Sequence, residues 1–461
     1  MKLFRQKFDY IDPLKLYNVL REEGEYPFIL ESRDKHPSKA RYTYISSNPE
    51  FVVNVKNNTK IDNTTVSKEK NPFKALKYIF ESEIKGDENN KTKTNEITNI
   101  EVNERFTGGF LGYFSYDTIH NYIGGDIEEP SVFGYYDHVY VYDHILNRYY
   151  YLTLNNSKEE MNNAEKIVEK AKKSNIMDEK GGTEIVGCDA GREDFMKMVE
   201  KTKDYIYAGD AFQVVISREY QLKSDYSAFK IYRNLRELNP SPYMFLLEFE
   251  KDVVGASPET MASVEDNILK INPIAGTTTV GKTEEENREL AEKLLNDEKE
   301  RAEHMMLVDL ARNDVRKVSR SGTVELKRFF EVVRYSHVQH IESEVIGELK
   351  DNATMFDAIE ASFPAGTLTG APKYRAMEII DELEKSRRKI YGGAVGYFSL
   401  SNHADTAIAI RMTEIGKDRV CRVRAGAGIV ADSVPENEYI ETERKMAAVM
   451  RALEVEHDID K

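Results

Sequence analysis

The Tyr- and Val-rich run over residues 132–154 constrains the fold more tightly than any other stretch of the chain. Aromatic and β-branched side chains suit a pleated, half-buried surface, so the run predicts two adjacent antiparallel strands with a turn near residues 146–148. Further strands are expected at 26–32, 41–46 and 51–55. FTGGFLGYFSYD (106–117) reads the same way, its glycines allowing close approach between aromatic strands. Helices are expected at 14–21, around 73–84 and at 159–173. Residues 56–70 read as a polar stretch, and 86–99, with almost nothing to bury, as a mobile surface loop. Gly181 and Gly182 lie in a linker-like stretch, which sets a boundary near 175–190 between a first domain (1–180) and a second (190–461). A chain of 461 residues can bury core enough for two.

In the second domain, residues 192–207 predict an amphipathic helix ending at Gly209–Asp210, before the strand FQVVIS (212–217). A helix at 227–238 stops at NPSPYM (239–244), whose prolines disfavour helix and make a rigid turn. Strands follow at 245–250 and 269–274, the second emptying into a small-residue turn, Ala275–Gly276–Thr277. Thr283 with Glu286 offers a capping box. DEKERAEHMMLVDLARND (297–314) then gathers carboxylates and a histidine around an apolar run. Asp297 can cap this helix with Glu300 three positions on, while Glu303 turns toward a cavity and Ala302, Met305 and Met306 cover the core. In YSHVQHIES (335–343) the alternation turns His340 to one face. PAGTLTGAPK (364–373) is a loop able to offer hydroxyls and backbone N–H groups to an anion. Strands at 391–397, 407–411 and 420–424 follow, the last feeding a glycine-rich turn around Gly426 and Gly428, and a helix at 436–452 closes the chain.

The formal charge of −15 argues against nucleic-acid binding and against an anionic membrane surface. It leaves room for an anionic substrate, since a divalent cation or a local basic pocket reverses the field. Cys188 and Cys421 are the only cysteines, which fits a reducing, cytoplasmic setting, and no apolar run approaches transmembrane length. The chain has no zinc cluster, nucleophile elbow or dinucleotide fingerprint. Carboxylates, one strand-borne histidine and two glycine-rich turns remain. Hard oxygen ligands suit Mg²⁺, and the residues alone point to an enzyme acting on a small, oxygen-rich anion.

GDAFQVVIS (209–217), GASPET (255–260), PIAGT (273–277), the 297–314 stretch, GTLTGAPK (366–373), YGGAVGY (391–397), GAGIV (426–430) and ENEYIETERK (436–445) occur in that order. Together they resemble the chorismate-utilising enzymes, and with the first domain included the resemblance is to the large components of anthranilate synthases. It implies an α+β fold: a large chorismate-binding domain with face-to-face packed β-sheets and outer helices, interleaved with a smaller N-terminal regulatory α/β region. It also implies roles. Glu303 and Glu441 match a pair of Mg²⁺-binding glutamates, and Glu259 the acid that protonates the departing C4 hydroxyl. His340 matches a histidine implicated in pyruvate elimination, and Thr367 a hydroxyl contact. Tyr391 and Arg411 match residues at the enolpyruvyl carboxylate, joined by backbone donors at Ala425, Gly426 and Gly428, with Lys445 supporting that region.

Within the family two positions bear on the product. Gln213 stands where isochorismate and salicylate synthases look to a water-activating lysine. Ala275 stands where one type of aminodeoxychorismate synthase carries a lysine able to form a covalent adduct. Both favour anthranilate, formed from chorismate and ammonia through 2-amino-2-deoxyisochorismate, with no redox cofactor. The ammonia is expected from a glutamine amidotransferase subunit (component II). Tryptophan is the expected inhibitor, because the segments around Glu31 and Ser32 and around Pro240, Ser241, Tyr243 and Met244 resemble the feedback site. One departure stands out: the family commonly continues PIAGT with arginines, and this chain reads PIAGTTTVG (273–281), leaving that place to Lys282 or a partner chain.

Overall fold

The Tyr/Val run resolves into three strands rather than two: Ser131–Tyr136, His138–Asp143 and Arg148–Thr153. The last two form the expected antiparallel hairpin, in register Arg148↔Asp143 to Thr153↔His138. Ser131–Tyr136 lies in the other sheet, so the chain crosses between sheets at Asp137. Period-two alternation continues through the crossing, which is why the pattern conceals it.

The computed structural model describes residues 2–33, 41–84, 105–155, 157–334 and 338–455; the loop expected at 86–99 lies outside them. Two 12-stranded sheets dominate, with every pairing between described strands antiparallel. In the first, Phe4–Phe8, Arg148–Thr153, His138–Asp143, Tyr42–Ser46 and Phe28–Glu31 lead across to Tyr243–Glu248, Asp252–Ser257, Met412–Ile415, Val420–Ile429, Gln213–Ser224 and Thr183–Cys188. In the second, Ile274–Thr279, Val338–Glu348, Ile268–Ile271, Thr260–Glu265, Ala404–Ile408 and Ala394–Ser399 lead to Gly109–Phe114, Ser131–Tyr136, Phe51–Val55 and the hairpin Thr59–Ile61/Thr64–Ser67. Each sheet therefore continues across the 175–190 boundary, and the two sequence segments are interleaved.

Alternation along each strand divides its side chains between two cores. Val139, Val141, Tyr150 and Leu152 meet Leu111, Tyr113, Val395 and Tyr397 between the face-to-face sheets. Tyr140, Tyr142, Tyr149 and Tyr151 point the other way, under helices Pro13–Glu23, Lys158–Lys173, Ala228–Leu238 and Pro435–Ala452. Helices Pro72–Ile79, Glu298–Val318 and Met355–Ser362 cover the outer face of the second sheet. The fold is α+β, with packed sheets inside and helices outside.

Several expectations change. Residues 56–70 hold a hairpin turned by Asp62 and Asn63, whose φ values of 45° and 67° are what a two-residue turn between right-twisting strands requires. The Ala275–Gly276–Thr277 stretch is no turn; it lies inside Ile274–Thr279, where Gly276, at φ 64°, sits at a bulge. Gly426 and Gly428 likewise sit within the ten-residue strand Val420–Ile429. In helix Glu298–Val318, Asp297 caps the N–H groups of Lys299 and Glu300 as expected, but the core face is His304, Leu307, Val308, Ala311 and Val315. Ala302 is exposed and Met305 is 41 % exposed. His304 is a core histidine, bonded to Ser343 Oγ at 2.7 Å and pushed down to about 4 by burial.

One buried ion pair ties helix Pro435–Ala452 to the first sheet. Arg218 donates from Nε to the Ala190 carbonyl (2.9 Å), pairs with Glu443, and lies 4.7 Å from the Tyr439 ring. Removing one partner of such a pair strands the other charge. Glu443→Gln is expected to cost about 3–5 kcal/mol in urea unfolding; a loss below about 1 kcal/mol, the range of surface pairs, would show that the pair does not anchor the helix.

Candidate active site

Glu259 follows strand Asp252–Ser257, and its carbonyl accepts from Ile408 N at 3.0 Å. Thr367, on the 3-10 turn Gly366–Leu368, donates from Oγ1 to Glu259 Oε1 at 2.9 Å. The residue keeps some solvent exposure, yet protein crowds its carboxyl, and that desolvation pushes it up to about 7 against the lowering effects of Thr367 and Lys445. An acid so placed holds or releases a proton near neutrality.

Beside it lies a cationic wall. Lys445 Nζ bridges Glu441 Oε1 (2.6 Å) and the Gly426 carbonyl (2.9 Å). Arg411, held at φ 52°, donates from Nη1 to the Lys445 carbonyl at 2.7 Å. Burial lowers its pKa, while Tyr391 and Glu441 act in the opposite direction. Tyr391 is buried, and desolvation lifts its phenol to about 12. Both glycines keep the adjoining strand bare: a Cβ on Gly426 would lie 2.9 Å from the Ile216 carbonyl, and one on Gly428 2.5 Å from Gln213 Nε2.

Across the wall stand carboxylates from two helices. Gln213 donates from Nε2 to Glu303 Oε1 at 3.3 Å. Glu300, expected only as a capping residue, turns its carboxylate inward; burial raises its pKa, with Glu303 and Glu441 adding to the shift. Glu438 is raised by burial and by Glu441. Sequence reasoning missed both, although each stands three residues before an expected ligand, a spacing that shares a helix face. Among the described residues no group of three or more His, Cys, Asp or Glu side chains is gathered to hold a metal. Glu303 and Glu441, the expected pair, are hard oxygen donors of the kind Mg²⁺ takes, since that ion keeps several waters and uses one or two carboxylates.

A family model for the chorismate-binding enzymes matches residues 25–451. The chain belongs to that family. Among its relatives, anthranilate synthase component 1 of Thermococcus kodakarensis is 58 % identical over 450 residues, covering 98 % of this chain and 99 % of that protein. The component 1 of Archaeoglobus fulgidus is 52 % identical over 448 residues, covering 97 % and 99 %. The crystal structure of anthranilate synthase component I from Streptococcus pneumoniae superposes with a TM-score of 0.76 at 33 % identity, covering 89 % of this chain and 92 % of that one.

In this chorismate-binding enzyme the remaining expected residues fall in two places. His340 joins the carboxylate side: its Nδ1 lies 3.0 Å from the Gly276 carbonyl and 3.1 Å from Thr277 Oγ1. A carbonyl only accepts, so Nδ1 is a protonated nitrogen of the ring. Ala275 is buried beside it, paired with Ile341. The residues around Glu31 and NPSPYM gather elsewhere, at the seam between the interleaved segments. Met244 pairs with Glu31 across the sheet, and the Ser241 carbonyl accepts from Arg33 N at 3.0 Å. Ser32 N donates to the Tyr42 carbonyl at 3.4 Å, and Pro240 precedes Ser241 in the turn. Glu31 accepts a bidentate fork from Arg236, at 2.6 and 2.7 Å, and a bond from the Tyr232 hydroxyl. Arg236 was not foreseen, since helix position alone gives it no partner. Tyr243 reaches away from this seam to Thr260 Oγ1 at 2.7 Å.

Thr367→Val removes a hydrogen bond that lowers Glu259. The carboxyl is then expected to titrate above about 7, read as an infrared carboxyl-stretch titration differenced against Glu259→Gln. An unchanged or lower midpoint would show that the threonine does not act on the acid.

Proposed function

We propose that the protein is the chorismate-consuming subunit of an anthranilate synthase. In this reading it converts chorismate and ammonia to anthranilate and pyruvate through 2-amino-2-deoxyisochorismate, the first committed step of tryptophan biosynthesis, in the cytoplasm. Gln213 carries the reading. Its amide faces Glu303, where a synthase that adds water would need a base. An amide cannot deprotonate water, whereas ammonia is already a nucleophile. The full-length likeness to anthranilate synthase component 1 supports the same reading.

Each residue then has a task. Arg411 and Tyr391, with backbone donors at Ala425, Gly426 and Gly428, take the enolpyruvyl carboxylate, for which a planar guanidinium offers paired donors. Glu259 gives its proton to the C4 hydroxyl, which leaves as water while ammonia bonds to C2. His340 serves the loss of pyruvate that aromatises the ring. Glu303 and Glu441 would hold Mg²⁺, which when bound supplies positive charge against the ring carboxylate. Lys445 gives Glu441 a counter-charge. Neither cysteine stands as a glutaminase nucleophile: Cys421 is buried with its thiol pushed up to about 12, and Cys188 ends an edge strand. The ammonia is therefore assigned to a glutamine amidotransferase partner, component II. No helix among the described residues is long and apolar enough to cross a membrane.

Purified protein given chorismate, Mg²⁺ and an ammonium salt is expected to form blue-fluorescent anthranilate. Folded protein without turnover would overturn the assignment, and 4-amino-4-deoxychorismate as product would select aminodeoxychorismate synthase instead. Glu303→Gln should abolish Mg²⁺-dependent turnover with the fold intact. Glu259 works in its acid form, which prevails below about 7 and is lost as pH rises through that value. kcat/KM should therefore fall across that window, and Glu259→Gln should lower it about 10²–10⁴-fold. The seam around Glu31 and Met244 is assigned to feedback by L-tryptophan. Titration should lower turnover, and unchanged rates with no heat of binding would defeat this assignment.

A further inference from the structure

Arg388 lies outside every motif read from the sequence, yet it is one of the most heavily engaged side chains near the acid. It is 3 % exposed. Nη1 donates to the Leu368 carbonyl at 2.7 Å, and Nη2 to the Val215 carbonyl at 2.7 Å. Nε and Nη2 also fork onto Glu384, at 3.0 and 2.7 Å. Glu384 in turn accepts from Ser217 N and Oγ at 2.7 and 2.8 Å, so the strand that begins at Gln213 fixes the carboxylate that orients the guanidinium. The flat face of the cation lies 4.6 Å from the Tyr116 ring and 5.9 Å from that of Tyr391.

Leu368 closes the 3-10 turn whose middle residue is Thr367, and Thr367 aims its hydroxyl at Glu259. This short turn is therefore clamped from behind by one guanidinium. We propose that Arg388, oriented by Glu384, is a positioning residue of the reaction: by holding the Leu368 carbonyl it sets the placement of Thr367, and through that hydroxyl the placement of the Glu259 carboxyl. The clamp requires Arg rather than Lys. Only a planar fork donates at once to two carbonyls and a carboxylate; an ammonium on a flexible stem keeps the charge and loses the geometry.

The inference rests on the function proposed above, so the parent is assayed first, and a folded parent without turnover overturns both. Given an active parent, Arg388→Lys is expected to lower kcat on the order of 10²-fold, the scale of an ångström misplacement, with KM for chorismate changed less than about threefold. The decisive measurement is the cycle with Thr367→Ala. If Arg388 acts through Thr367, the double variant loses no more kcat than Thr367→Ala alone; independent roles would multiply the two losses and overturn the inference. Parent-like kcat in Arg388→Lys would also overturn it. Should Arg388→Lys not fold, Ser217→Ala slackens Glu384 instead. It should cost about fivefold in kcat, the scale of one hydrogen bond, and nothing more in a Thr367→Ala background. Multiplied losses there would again overturn the proposal.

Discussion

The site depends on the long antiparallel pairing between Gln213–Ser224 and Val420–Ile429, in register from Val214↔Ile429 to Lys223↔Val420. The ladder pairs Gly426 with Ser217 and Gly428 with Val215; a Cβ on Gly426 would press on the Ile216 carbonyl, and one on Gly428 would displace the Gln213 amide. Its outer face carries Arg218, whose pairing with Glu443 docks the helix bearing Glu441 and Lys445. Through Ser217 it also fixes Glu384, and so the clamp behind Thr367. Antiparallel register is all-or-none, because a one-residue slip turns every side chain to the opposite face. The carboxylate group, the cationic wall and the acid are thus set by one set of backbone bonds.

The second constraint is charge. A chain of net −15 brings Glu300, Glu303, Glu438 and Glu441 into one electrostatic neighbourhood and opposes them with Lys445 and Arg411. Like charges so gathered resist ionisation, which accounts for part of the raised pKa values of Glu300 and Glu438. An anionic substrate could not approach such a group without a cation beside it. That is the physical reason the donor chemistry and the proposed substrate belong together. Glu259 stands apart, its carboxyl raised by desolvation and lowered by Thr367 and Lys445. Separation of this kind lets one cleft raise its carboxyls by different causes, Glu259 by desolvation alone and Glu300 and Glu438 by desolvation together with like charge.

What was legible in the sequence was local. Caps at Asp297 and Thr283, the strand alternation and the helix at 192–207 follow from side chains near in sequence, and the structure has them. Sheet membership was not legible: nothing local tells that the chain leaves one sheet at Asp137, since both sheets bury the same period-two pattern. Glycines misled for a related reason. At 276, 426 and 428 they read as turns, whereas they admit a bulge, a neighbouring backbone and a glutamine amide within strands. The motif residues at the site were read from resemblance; Arg236 and Arg388 take their meaning from Glu31 and from the Val215 and Leu368 carbonyls, distant in sequence, whereas Glu300 and Glu438 lie one helical turn from expected site residues.

The two expected sites are closer in contact than in sequence. Tyr243 belongs to the strand that pairs with Phe28–Glu31, yet its hydroxyl meets Thr260 Oγ1 at 2.7 Å and Asp405 Oδ1 at 3.0 Å. Thr260 is bonded directly to Glu259, whose carbonyl is held by Ile408 N. Burial pushes Asp405 up to about 6, so this contact lies in a medium where a lost hydrogen bond is costly. An effector that moves Tyr243–Glu248 at the Glu31 side must therefore either break the Tyr243 contact or carry Thr260 with it. Packed sheets respond by switching between arrangements rather than by stretching. If an effector bound at the seam alters substrate binding, linkage requires the substrate to alter effector binding by the same free energy.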